Sequence, residues 1–351
     1  YGSSALNGVI HVRTAFPKDE PETKLIIYQG MVGKPKREEI KWWDTNPLVV
    51  GGYFNHMRKI KKVDFVLGGG LSSNKGHREG EIKEFGRLNT KVRYMPEKFN
   101  GRLTVGLNAN GMYYNEGLYF YWQNANEGAL MKGAGDLNEY SFYYFDPYLT
   151  YFDKKNNKHS FKARSYGVQS IFSHRNKSMA HITGGEYTFA KSFERELDLT
   201  VGANGYHFKA NDKLGKDLKD HSGSISAVFG QVDKKFGRLS TSLGMRWELF
   251  SRDAEFTPSV PILKAGLNMP VTQHTYIRAS FGQGYRIPSI AEQFVDHNVG
   301  GISLYPNPDL EPEFGWNAEI GAKRTLKIGD WKGYIDIVGF WTEYKLSLIH
   351  I

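Results

Sequence analysis

Cysteine is absent from the 351 residues, which excludes a disulfide framework, a thiolate-bound zinc and a cysteine nucleophile. Long apolar runs are missing too. The longest uninterrupted one is Leu118–Trp122, far below the roughly 18 residues that a helical membrane span needs, so no transmembrane helix is expected. Apolar residues seldom recur at helical spacing. A phosphate-binding loop is lacking, because Gly68–Gly70 sit inside an alternating run with no lysine after them. The 11 histidines are scattered and acidic pairs such as Glu38–Glu39 fall between predicted strands. No enzyme, metal site or cofactor is therefore expected.

What the chain has is glycine, 39 residues, and aromatics, 14%, arranged with a period of two. In "GRLTVGLNANGMYY" (101–114), Leu103, Val105, Leu107 and Ala109 share one face of a strand. Thr104, Gly106, Asn108 and Asn110 share the other. The same two-faced pattern runs through 63–71, 196–204, 223–231, 238–247 and 316–323, and predicts about fifteen antiparallel strands of about 9 to 15 residues.

The connections alternate in length. Short turns are expected at Arg58–Lys62, Met95–Gly101, Asp153–Lys158, Asp233–Gly237, Met269–Gln273 and Ile328–Asp330. Longer connections are expected around 35–46, 72–82, 115–141, 209–222 and 286–313, with one short exception at 174–178. Short turns at one end and long loops at the other are the signature of an outer-membrane β-barrel. A soluble sandwich would use strands nearer 5–6 residues, and a propeller or solenoid would show an internal repeat, which is absent. Inward glycines (Gly106, Gly202, Gly244, Gly321) fit either clearance for something inside the barrel or simple wall curvature.

The net charge of +9 suits an anionic lipid surface, a basic lumen or a nucleic acid. Lysines cluster at the short turns (Lys59, Lys61, Lys62; Lys154, Lys155, Lys158; Lys234, Lys235), which makes them a solvated rim and not a nucleic-acid stripe. In "MYYNEGLYFYWQN" (112–124), Tyr113 and Tyr114 read as an interfacial girdle. Tyr119, Tyr121 and Trp122 lie further into the loop and are candidates for substrate contact.

Two segments carry more than pattern. "YGSSALNGVIHVRT" (1–14), through Tyr1, Gly2, Ser3, Ala5, Gly8, Val9 and Ile10, resembles the last strand of the plug domain of TonB-dependent outer-membrane transporters. "SFGQGYRIPSIAEQF" (280–294) and "LYPNPDLEPEFGWNAEIGAK" (304–323) resemble two motif boxes late in the same family's barrels. Tyr285, Arg286, Pro288 and Ser289 match the first box; Asn307, Pro308, Asp309, Leu310, Pro312 and Glu313 match the second. The wording "YRIPSIAEQF" is most similar to members from the Bacteroidetes. Prolines forbid ladder hydrogen bonds, so both boxes belong at strand ends or in the loop between them, and Arg286 with Glu313 reads as a polar pair anchoring that loop.

The resemblance implies an all-β, antiparallel transmembrane barrel of which about 15 of the family's 22 strands are present. Residues 1–15 would be the end of the plug and 20–351 part of the barrel. The energy-coupling box, the plug body and the final strands are expected outside this sequence, which reads as a fragment. The implied activity is active uptake of a scarce nutrient, foremost a ferric siderophore, across the outer membrane of a Gram-negative bacterium. Haem or cobalamin are alternatives, and a passive porin or adhesion barrel is the alternative of another class. The implied partners are the inner-membrane TonB complex, outer-membrane lipid and lipopolysaccharide, the barrel-assembly machinery, and a small-molecule or metal-chelate substrate. His297, between the two boxes, lies where haem-uptake members carry a histidine, and imidazole is a suitable haem-iron ligand.

Overall fold

Period-two alternation builds long strands, and in the computed structural model they join into one antiparallel sheet of 16. The structure describes residues 14–118, 124–127, 136–172, 176–212, 220–253, 255–257, 260–294, 297–299 and 302–345. In chain order the strands begin with β1 (Glu22–Met31), β2 (Leu48–Ile60), β3 (Val63–Asn74), β4 (Lys83–Tyr94), β5 (Leu103–Leu118) and β6 (Asp136–Phe152). They continue as β7 (Lys158–Phe172), β8 (Asn176–Phe193), β9 (Leu197–Asp212), β10 (Asp220–Phe236), β11 (Leu239–Arg252), β12 (Glu255–Thr257), β13 (Ile262–Pro270) and β14 (Thr275–Arg286). A five-residue helix α1 (Ile290–Phe294), a hairpin of β15 (His297–Val299) with β16 (Ile302–Leu304), and β17 (Glu313–Ile328) and β18 (Trp331–Lys345) complete the fold.

Each long strand pairs with the next in the chain, β12 folds back on β11, and β1 and β18 end the order. No helix among the described residues is long and apolar enough to cross a membrane, which says nothing against crossing by strands.

The two faces differ as the alternation demands. On β11, Leu243, Met245, Trp247 and Leu249 are 62%, 55%, 50% and 54% exposed, whereas Arg246 and Glu248 between them are 7% and 1% exposed. A water-soluble sheet would reverse that order. Two segments outside the sheet, 14–16 and α1, touch its polar face, which identifies it as the inner one. The apolar face is the lipid-facing one.

Strands are longer than the sequence suggests, up to 18 residues in β8. The turns at Arg58–Lys62 and Asp233–Gly237 are correspondingly tighter, because β2 runs to Ile60 and β10 to Phe236. A turn at Glu194–Glu196 was not anticipated. It contains neither glycine nor proline and is made instead by Arg195 and Glu196 with φ of 61° and 54°. The expected short exception at 174–178 lies partly outside the described residues; β7 ends at Phe172 and β8 begins at Asn176.

The girdle reading of Tyr114 is corrected. Tyr113 faces outward and is 48% exposed, but the strand continues to Leu118, and the next residue must point to the opposite, inner side. The inward glycines are corrected in part as well. At Gly106 and Gly202 a Cβ would overlap the rings of Tyr148 and Phe229, on the partner strands, so a neighbour's aromatic ring occupies the space. Gly244 has no such neighbour, and Gly321 lies beneath the guanidinium of Arg278, which bridges to Asp336 at 2.9 Å.

Candidate functional site

Two constructions on the inner face stand out, one at each end of the strands. At the long-loop end, β14 stops at Arg286 because Pro288 follows, and β17 starts at Glu313, immediately after Pro312. Register pairs Arg286 with Glu313, and their side chains make a two-pronged bond, Nε to Oε2 at 2.9 Å and Nη2 to Oε1 at 3.2 Å. The same guanidinium donates through Nη1 to both oxygens of Glu292, at 2.9 and 3.0 Å.

Glu292 belongs to a capping box. Ser289 N and Oγ donate to Glu292 Oε2 at 2.8 and 2.9 Å, while Glu292 N donates to Ser289 Oγ at 3.3 Å. Hydrogen bonds from Arg286, helped by those from Ser289, hold the Glu292 carboxyl well below the usual carboxylate range, at about 2.

Gln293, 1% exposed, ties this helix to the second box. Its Nε2 donates to the carbonyls of Pro308 and Leu310, both at 3.2 Å, and its own carbonyl accepts from Asn307 N at 2.8 Å. Arg252 of β11 donates to its side-chain oxygen. Phe294 stacks on His221 of β10, with ring centroids 3.9 Å apart, and His221 is bonded to Asp253 at 2.8 Å. The loop is thus fastened to three strands, β10, β11 and β14.

At the short-turn end, the entering segment is pinned to β4. Lys91 Nζ donates to Thr14 O at 3.1 Å, Thr14 Oγ1 at 2.9 Å and Ala15 O at 3.3 Å. The ring of Phe16 lies 3.4 Å from Lys91 Nζ and 3.6 Å from Arg93 Cζ, a doubled cation–π contact. Arg93 is in turn held at 2.6 Å by Asp64, which is 1% exposed. Further along the same end, a cavity of about 900 Å³ is lined by Asp198, Ser242, Asn268, Arg278, Ser280 and Glu319.

The structure therefore brings Arg286, Ser289 and Glu313 together, with Asn307, Pro308 and Leu310 joined to them through Gln293. Tyr285 is 5% exposed and its phenol oxygen is buried. Tyr119, Tyr121 and Trp122, and the plug-end residues Tyr1, Gly2, Gly8, Val9 and Ile10, lie outside the described residues. His297 has its backbone in β15, opposite Leu304. Sequence reading missed Glu292 and Gln293 as fasteners. The signal for the first was present, since Ser-x-x-Glu directly after a proline marks a helix start; nothing local marked the second.

A family model described as "TonB dependent receptor-like, beta-barrel" matches residues 49–345. Among solved structures, the siderophore receptor PirA from Pseudomonas aeruginosa superposes with a TM-score of 0.76 at 13% identity, over 98% of this chain and 59% of that one. The FrpB iron transporter from Neisseria meningitidis gives 0.68 at 12%, over 93% and 55%. The hemophore receptor HasR from Serratia marcescens, in complex with its hemophore HasA and heme, gives 0.65 at 11%, over 84% and 52%. At such identities the likeness is one of fold. The chain spans 52–59% of the length of these three structures. Among curated proteins, no match was found.

Proposed function

Since the chain belongs to the TonB-dependent receptors, through a barrel that matches from residue 49 to 345, we propose that the protein of which it is part takes up an iron chelate across the outer membrane. The family's barrels lie in the outer membrane of Gram-negative bacteria, and its members are transporters, not enzymes. A ferric siderophore is the leading cargo, and the inner-membrane TonB complex is the energy source. In this reading residues 1–15 are the end of the plug, and the segment from Thr14 to Phe16 is where the plug's chain passes onto the barrel wall.

The observation that carries the proposal is the sheet turned inside out, with exposed Leu243, Met245 and Trp247 on one side and buried Arg246 and Glu248 on the other. A polar inner wall that receives the entering segment suits a barrel filled by a plug better than an open pore. The test is growth and ⁵⁵Fe accumulation under iron limitation, in cells with and without the gene and with and without TonB. Gene- and TonB-dependent accumulation from a panel of ferric siderophores is expected. Accumulation that persists without TonB would identify a passive pore instead. Haem is the alternative cargo because of the place of His297 between the two boxes; a haemin titration followed at the Soret band, with His297→Ala as control, separates it from the siderophore reading.

A further inference from the structure

The outer face changes character near the long-loop end of β7 to β10, and it does so within the strands. Along β9, Leu199, Val201 and Ala203 face lipid, and above them stand His207, Lys209 and Asn211. On β8 the same side carries Tyr187 towards the short-turn end, then His181, Met179 and Lys177 at the other. Register sets Lys209 between His181 and Ser222. A cavity of about 790 Å³ opens here, bordered by Lys177, Lys209, His181, Gln169, Met179 and Tyr143. The ring of Tyr143 lies over Gly167, where a Cβ would overlap it, so no side chain rises between it and the ring of His181, 6.4 Å away.

Strands that outrun the membrane into water would account for the polar residues but not for the apolar ones among them. Met179 and Tyr143 are 47% and 45% exposed alongside the lysines, on a side of the wall that no plug covers. The lysines also differ from the cations of the inner face. Arg93, Arg164 and Arg246 are each fastened to a carboxylate, of Asp64, Asp146 and Glu248. Lys177 and Lys209 are exposed, and neither has an ion-pair or hydrogen-bond partner among the described residues. The one carboxylate on the border of the cavity, Asp220, already accepts a hydrogen bond from Asn211. Two ammonium groups without counter-ions, set beside an oily ledge at the outer-leaflet end of a barrel, match an amphiphile whose head carries phosphate.

We propose that this outward cavity binds a phosphorylated glycolipid of the outer leaflet. Its acyl chains lie along Met179, Tyr143 and the apolar band below, and its phosphate charge is met by Lys177 and Lys209. The inference rests on the barrel's place in the outer membrane and on no cargo, so it stands or falls apart from the uptake reading.

The test uses the intact protein, purified from outer membranes in a non-ionic detergent, stripped of lipid and checked for folding by heat-modifiable migration. Diphosphoryl lipid A is the probe, dephosphorylated lipid A and phosphatidylglycerol are the controls, and native mass spectrometry reads the lipid bound per protein across a titration. Lys177→Gln with Lys209→Gln is expected to weaken the probe about tenfold or more. Lys154→Gln with Lys155→Gln, exposed at a short turn, is expected to stay within twofold of the parent. Dephosphorylated lipid A is expected to bind the parent about as weakly as the probe binds the first pair. The proposal is overturned if the first pair binds the probe as the parent does, or if both pairs weaken it equally, which would mark diffuse attraction to a basic protein. It is equally overturned if phosphatidylglycerol binds as tightly as the probe, if inorganic phosphate at equal concentration displaces the probe, or if the parent binds no lipid.

Discussion

Arg286 and Glu313 stand 27 residues apart in the chain and close a two-pronged bond at 2.9 and 3.2 Å. Everything between them, α1 and the β15–β16 hairpin included, is therefore a loop with its two ends clamped by one charge pair. Glu313 is 5% exposed. Arg286→Ala leaves that carboxylate buried without its main partner, at a cost of about 2–5 kcal/mol to the local structure. Protease cleavage within 287–312 on intact cells is expected to speed up markedly. Arg286→Ala combined with Glu313→Ala is expected to cleave more slowly than Arg286→Ala alone, because the stranded charge is gone. Equal cleavage in parent and Arg286→Ala would show that the clamp does not hold the loop.

The third member of the clamp sets a pH limit. Glu292 titrates near about 2 in the folded loop, mainly through its bonds from Arg286, against about 4.5 for a free carboxyl. A carboxyl depressed on folding contributes its stabilisation in full above the free value and loses it as pH falls through the folded one. Loop protection is thus expected to hold from neutrality to about pH 4.5 and to fade towards pH 2. Glu292→Gln is expected to be less protected at neutral pH and to lack that acid transition. Chymotrypsin digestion at neutral pH measures the first, and a pepsin digestion series below pH 5 the second.

Lys91 and Phe16 anchor the entering segment. None of the 351 residues is cysteine, so Thr14→Cys, read by peptide mapping of the label, gives a reporter thiol with no competitor in this stretch. In membranes it is expected to react slowly with a maleimide in the parent background and several-fold faster when Lys91→Ala or Phe16→Leu is added, since each removes a cation–π contact worth about 0.5–2 kcal/mol. Identical labelling rates would mean that the segment is held elsewhere.

The lipid-facing assignment of β11 is open to direct attack. Trp247→Arg places a charge on the outward face, at a cost of about 2–4 kcal/mol near the bilayer midplane. The amount of folded protein in the outer membrane is expected to drop several-fold. Ser242→Arg, on the inner face of the same strand, is expected to leave it nearly unchanged. The opposite ranking would invert the sheet.

How much of this the sequence disclosed follows from the range of each signal. Strand faces were legible because lipid and water select opposite residue types every second position, so that Leu243 and Met245 declare their side without help. The turn at Glu194–Glu196 was hidden because two ordinary residues, Arg195 and Glu196, adopt the left-handed backbone that glycine or asparagine usually announces. The inner glycines were ambiguous because the ring lying on Gly106 comes from Tyr148, 42 positions away. The motif boxes located the clamp at Arg286 and Glu313. Gln293 was invisible because its partners, Arg252, Pro308 and Leu310, are set by tertiary placement alone.

The inner face of β4 reads, from the loop end down, Lys83, Phe85, Arg87, Asn89, Lys91, Arg93. From Phe85 to Arg93 is roughly 26 Å at the rise of an extended chain. Along that corridor the wall changes from a ring to amide and cationic side chains, with Arg87 bonded to the Asn110 amide, Lys91 to the carbonyls of Thr14 and Ala15, and Arg93 to the carboxylate of Asp64. The same strand thus gives the interior an aromatic surface at one mouth and fixed, already partnered cations at the other, so its two ends are not interchangeable.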